Sequence, residues 1–153
     1  MKKLFILFSS ILIIANSFAY GANDIDEKFL QSFSSNFPNA QKVIWQELDN
    51  AYVVSFIEDE IRMRIIYLKN GVLTHFLRYY QEENLPLETR MNIKKKYPDK
   101  KIYGVIEEIT ISHLGNHAKT VYHVKLEDAN NWFTIRIVKN KKFKLVEILN
   151  KDL

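Results

Sequence analysis

The sequence predicts an α+β protein built from two tandem units. Each unit is a helix followed by a four-stranded antiparallel meander, with the helices on one face of the sheet. Three observations predict this. Asn36-Phe37-Pro38-Asn39 and Lys96-Tyr97-Pro98-Asp99 are marks of one kind, 60 positions apart, and each closes an amphipathic segment. Four runs of period-two alternation follow each mark. The runs also match one another, Tyr52-Val53-Val54-Ser55-Phe56 with Tyr122-His123-Val124-Lys125-Leu126, and Leu68-Lys69-Asn70-Gly71 with Val138-Lys139-Asn140-Lys141, both at a shift of 70. Self-similarity at that period points to an internal duplication.

Residues 1–19 precede the units and read as a secretory signal. Lys2 and Lys3 supply the positive start, and Leu4 to Ala15 is apolar except for Ser9 and Ser10. Ser17-Phe18-Ala19 offers small residues at −3 and −1 for cleavage before Tyr20, with a cut after Gly21 as second choice. The apolar run is shorter than the roughly 20 residues a membrane span needs, so export is expected rather than stable membrane insertion. What remains, 20–153, is expected to form a single domain, with units at about 24–82 and 85–150.

The first helix is expected over Asp24–Phe37, where Ile25, Phe29, Leu30, Phe33 and Phe37 recur every three or four residues. Asn23 or Asp24 is the expected cap, with Asp26 and Glu27 in the first turn. Pro38 forces Phe37 out of the helical region and ends the segment. Strands follow at about 41–48, 51–58, 61–69 and 72–80, turned at Asp49-Asn50, Glu58-Asp59-Glu60 and Asn70-Gly71.

The second helix starts at Pro86, a residue suited to a first helical position. Its stripe is Leu87, Met91, Ile93 or Lys94, and Tyr97, and Pro98 stops it. Strands are then expected at about 101–112, 119–127, 131–139 and 142–149. The longer loop at His113–His117 accounts for the growth of the shift from 60 to 70. Short turns require antiparallel strands.

Strand alternation sorts the side chains into two sets. Tyr52, Val54, Phe56, Met63, Ile65 and Tyr67, with Tyr122, Val124, Leu126, Phe133, Ile135 and Ile137, form the set expected under the helices. The opposite set is polar or mixed and contains Arg62, Arg64, His123, Lys125, Trp132 and Arg136. These six are the candidate partner-binding residues, because Arg and Trp are enriched where proteins bind one another. The competing reading is an ordinary solvated face, with arginine stems lying over apolar neighbours. The faces of Trp45 and Tyr103 stay open, with a core role preferred for Trp45.

Much chemistry is absent. The chain has no cysteine, which removes disulfides, thiolate nucleophiles, thiolate metal sites and lipid attachment. Net charge is +4 and falls to +2 without Lys2 and Lys3, too little to expect nucleic-acid binding. His113 and His117 stand four apart but flank Gly115 in a loop, so no metal is expected. Glu107 and Glu108 are adjacent on a strand, point to opposite faces, and form no catalytic pair. There is no phosphate-binding glycine loop and no nucleophile elbow. No enzyme and no cofactor are expected.

Phe37-Pro38-Asn39-Ala40 before Val43-Ile44-Trp45, then Tyr52–Phe56, then Tyr67 with Asn70-Gly71, resembles the PepSY-like family of β-lactamase-inhibitor-like exported bacterial proteins. Leu85-Pro86, Ile93, Tyr97-Pro98, Ile102, Ile109 and Tyr122-His123-Val124 continue the resemblance. It implies tandem helix-plus-four-strand repeats like those of the β-lactamase inhibitor protein, a periplasmic or secreted location, and a non-enzymatic binding role that includes inhibition. The expected partner is an envelope or extracellular protein, such as a peptidase. The alternative is a small-ligand carrier with an aromatic cleft at Tyr52, Tyr67 and Trp45.

Overall fold

The computed structural model describes residues 25–111, 118–138 and 143–151. Helix α1 (Glu27–Asn36) leads into β1 (Gln41–Glu47), β2 (Ala51–Glu58), β3 (Ile61–Leu68) and β4 (Leu73–Tyr80). A short 3-10 turn at Glu82–Asn84 then leads to α2 (Leu87–Lys96). The chain continues as β5 (Lys101–Ile111), β6 (Ala118–Glu127), β7 (Asn131–Val138) and β8 (Lys144–Asn150). All eight strands join one antiparallel sheet in sequence order. Among the described residues, two ten-residue helices against eight strands of seven to eleven residues make the structure mostly β, a correction to the α+β expectation.

The two helices have matching ends. Asp26 and Pro86 both take φ −51°, with ψ 127° and 132°, and Phe37 and Tyr97 take φ −132° and −130°. The Phe37 and Tyr97 N–H groups donate back to Phe33 and Ile93 carbonyls at 2.9 and 2.8 Å. Two sequence expectations shift here. The cap of α1 is Asp26, whose carboxylate accepts from the Lys28 N–H, rather than Asn23 or Asp24. Pro86 precedes α2 as its cap and is not its first residue.

The inward stripe of α1 is aromatic. Phe29 lies 4.8 Å from Tyr52 and 5.8 Å from Tyr67, and Phe33 contacts Trp45 and Phe56 at 5.5 and 4.9 Å between ring centroids. Edge-on and tilted pairs of this kind add to plain area burial. Trp45 is therefore core. In α2 the buried side chain is Ile93, whereas Leu87 and Met91, expected inside, are exposed. The reason is registry: Leu85, Ile93 and Tyr97 stand 60 positions after Ile25, Phe33 and Phe37. Leu85 supplies from the 3-10 turn what Leu87 was expected to supply from the helix.

Two clusters result. One joins α1 to β1–β3, and the other joins Leu85 and Ile93 to Ile102, Val105, Val124, Leu126, Phe133, Ile135 and Ile137. Between them, on the same side of the sheet, stands a buried carboxylate. Glu107 is 8% exposed and accepts from the Arg78 guanidinium at 3.1 Å and the Tyr80 hydroxyl at 3.3 Å. Burial, then the Glu107 charge beside it, pushes the Tyr80 phenol far above its usual range, and Tyr122 moves the same way for the same reasons.

Truncating Glu107 to Ala should cost on the order of 2 kcal/mol, less than for a fully buried pair because Arg78 reaches solvent. Denaturant unfolding would measure it. A phenol raised in the folded state contributes stability that is whole below its unfolded value, about 10, and is lost as pH rises above it. Tyr80→Phe should therefore keep a larger share of its neutral-pH stability above about pH 10 than the unaltered chain does.

Candidate interaction face

Register fixes what lies on the side away from the helices. Ile57, Arg62, Tyr79, Ile106, His123, Arg136 and Lys144 are successive cross-strand partners, so they form one row from β2 to β8. A second row carries Ser55, Arg64, Leu77, Glu108, Val121 and Val138. A third runs through Gly104, Lys125, Thr134 and Glu147. The six sequence-selected residues Arg62, Arg64, His123, Lys125, Trp132 and Arg136 thus share this side, since Trp132 alternates with Thr134 and Arg136 along β7.

Helical side chains pack against the other side only among the described contacts. The uncovered row residues are mostly half-buried: each lies against its neighbours rather than beneath another layer. Arg62, Arg64, Lys144 and Glu147 are exposed, and Val121, like Val53 on the same side of β2, lies deeper. The two valines are short side chains sunk between longer ones, and both are buried.

Local geometry explains how the long side chains lie. Arg62 stacks over the Tyr79 ring at 4.9 Å, and Arg64 donates from Nε to the Ser55 hydroxyl at 3.2 Å. Trp132 meets Tyr103 edge-on at 4.6 Å and has Lys125 and Lys151 ammonium groups over its ring at 5.2 and 4.4 Å. Tyr103 sits at the β5 bulge between Ile102 and Gly104 and is 47% exposed. Its unassigned face is therefore the open one. The bulge adds a residue to β5 and turns Tyr103 toward Trp132.

Three residues that sequence reasoning left out occupy the centre. Glu108 lies between two imidazoles, with His123 Nε2 at 3.1 Å and His75 Nε2 at 3.9 Å, each beside a different carboxylate oxygen. Tyr79 flanks them in the next row. The only signal in the sequence was parity: Glu107 and Glu108 were expected on opposite sides, and they are. Which residues meet Glu108 depends on pairing across β4, β5 and β6. Among the described residues no group of three or more His, Cys, Asp or Glu is arranged to hold a metal ion. His113 and His117 lie outside the described residues.

The ligand-carrier cleft does not form where it was expected. Tyr52, Tyr67 and Trp45 are all buried against α1. A groove of about 490 Å³ lies instead between α1 and β1, lined by residues including Leu30, Phe37, Ala40 and Val43.

No family model matches the chain, and no curated protein matches it. Solved structures do. A BLIP-like protein from Bacteroides fragilis superposes with TM-score 0.60 at 13% identity, over 82% of this chain and 85% of that one. A DUF2874 family protein from Bacteroides ovatus gives 0.61 at 15% identity, over 85% and 92%. A Bacteroides eggerthii protein, provisionally described as periplasmic, gives 0.61 at 9% identity, over 82% and 88%. The chain therefore has a BLIP-like fold, and at these identities the likeness is one of fold alone. No helix among the described residues is long and apolar enough to cross a membrane.

The β6–β7 turn fixes the Trp132 end of the face. Asp128 accepts from Lys100 Nζ at 2.7 Å and from the Asn130 and Asn131 N–H groups at 3.0 and 2.8 Å. The Lys100 hydrogen bond, with help from the two N–H groups, lowers the Asp128 pKa to about 2. A depressed carboxyl contributes stability that is whole above its unfolded value, near 3.9, and is lost as pH falls toward 2. Asp128→Asn should flatten that part of the acid unfolding curve, followed by circular dichroism.

Proposed function

We propose that this chain is an exported, non-enzymatic binding module that contacts an envelope or extracellular protein through the open sheet face. The observation that carries the reading is the shared side of Arg62, Arg64, His123, Lys125, Trp132 and Arg136, with half-buried Ile66, Leu77, Tyr79 and Ile106 among them. An apolar field edged by arginine and aromatic groups, with no layer over it among the described residues, has the composition of a protein-binding surface. Inhibition of a peptidase-like partner is one outcome of such binding.

The two halves derive, in this reading, from a duplicated helix-plus-four-strand unit. Its support is the matched helix ends at 26 and 86 and at 37 and 97, together with the sequence shifts. Export rests on residues 1–19, which lie outside the described residues. The provisionally periplasmic description of the Bacteroides eggerthii neighbour agrees with it.

Tagged protein should recover a partner from host envelope extract, and the Arg64→Ala, Trp132→Ala double variant should recover about a tenth as much or less. Equal recovery by both would remove the face from consideration. N-terminal sequencing of the chain isolated from its host should begin at Tyr20. A chain beginning at Met1 would contradict export by cleavage.

A further inference from the structure

We infer that the open face takes an acidic protein segment, and that the His75–Glu108–His123 cluster makes this binding stronger at mildly acid pH. The inference rests on the binding role proposed above and adds the partner's chemistry and its regulation. Charge complementarity is the first ground. No carboxylate among the described residues lies within ion-pair distance of Arg62, Arg64 or Arg136. The acidic groups on this side are already engaged. Glu127 is paired with Lys151 at 3.2 Å, Glu147 accepts from the Thr134 hydroxyl at 3.4 Å, and Glu108 stands between the imidazoles. A carboxylate-bearing partner would meet guanidinium groups that no carboxylate of the described residues contacts; a basic partner would meet repulsion.

The second ground is what surrounds Glu108. On β4 it faces His75 and Leu77, and on β6 Val121 and His123. Beyond these, Arg64 of β3 shares its row, Arg136 of β7 pairs with His123, Lys125 follows His123 on the same side of β6, and Lys119 lies beyond Val121 opposite Thr110. Glu107 and Arg78 are turned to the helix side. Neighbouring strands stand about 4.8 Å apart, so Arg64 and Arg136 both lie within about 10 Å of the cluster. Histidine is the side chain whose charge ordinarily changes between about pH 5 and 8. With both imidazoles neutral the cluster carries one negative charge in the middle of a cationic field. With both protonated it carries one positive charge, and the field becomes continuous. An acidic partner feels that change directly, because the cluster is central rather than at the rim.

The test uses the chain without its first 19 residues and a short aspartate-rich peptide, followed by amide chemical shifts. The peptide should perturb β3–β7 residues of the open face. Its affinity at about pH 5.5 should exceed that at about pH 7.5 by roughly three- to tenfold. In the His75→Gln, His123→Gln double variant that ratio should fall close to one. Glu108→Gln should raise the affinity at about pH 7.5 toward the acid value. Thermal unfolding of each variant checks that the sheet is intact.

An unchanged pH ratio in the histidine variant overturns the switch. Equal binding of a lysine-rich peptide, or shifts confined to Lys94–Lys96 of α2, overturns the acidic partner. If the peptide fails while the Arg64, Trp132 double variant still loses its envelope partner, this inference falls and the binding role stands. Failure of both measurements removes the two together.

Discussion

One side of this sheet is sealed by aromatic rings from α1 and by aliphatic groups from the α2 segment, and the rest of the molecule follows from that asymmetry. Phe29 and Phe33 bring Tyr52, Tyr67, Trp45 and Phe56 into one tilted and edge-on stack. Strand pleating then leaves no choice for the intervening residues. Every side chain between two sealed positions must stand on the opposite side, where no second layer exists among the described residues. Without cysteine, no disulfide supplements this packing among the described residues.

The same asymmetry explains the polar seam. A carboxylate between two apolar clusters would be costly by itself. Glu107 is tolerated because Arg78 and Tyr80 both donate to it, and Arg78 keeps part of its guanidinium in water. Its sequence neighbour Glu108 has the opposite surroundings, with two imidazoles and partial solvent. Adjacent glutamates on one strand thus do different work. One joins the two halves of the interior, and the other sets the charge at the centre of the open face.

The likeness to BLIP-like and DUF2874 structures from Bacteroides extends over more than four-fifths of the chain at identities of 15% or less. A fold kept at so little identity is specified by pattern rather than by particular residues. The likeness therefore carries no function, and the arginines, imidazoles and indole of the open face are features of this chain's own sequence.

The sequence by itself determined the period-two strands, the proline stops of both helices and the side on which β2, β3, β6 and β7 bury their apolar sets. These are local properties, set by alternation and by proline sterics. It also put Arg62, Arg64, His123, Lys125, Trp132 and Arg136 on a common side, because parity carries across antiparallel hairpins once the turns are located. Only the tertiary structure decided which residues meet. The β5 bulge that turns Tyr103 to Trp132, the pairing that brings His75 and His123 to Glu108, and the replacement of Leu87 by Leu85 in the core are matters of register. Register between distant strands is fixed by packing, which no local pattern encodes.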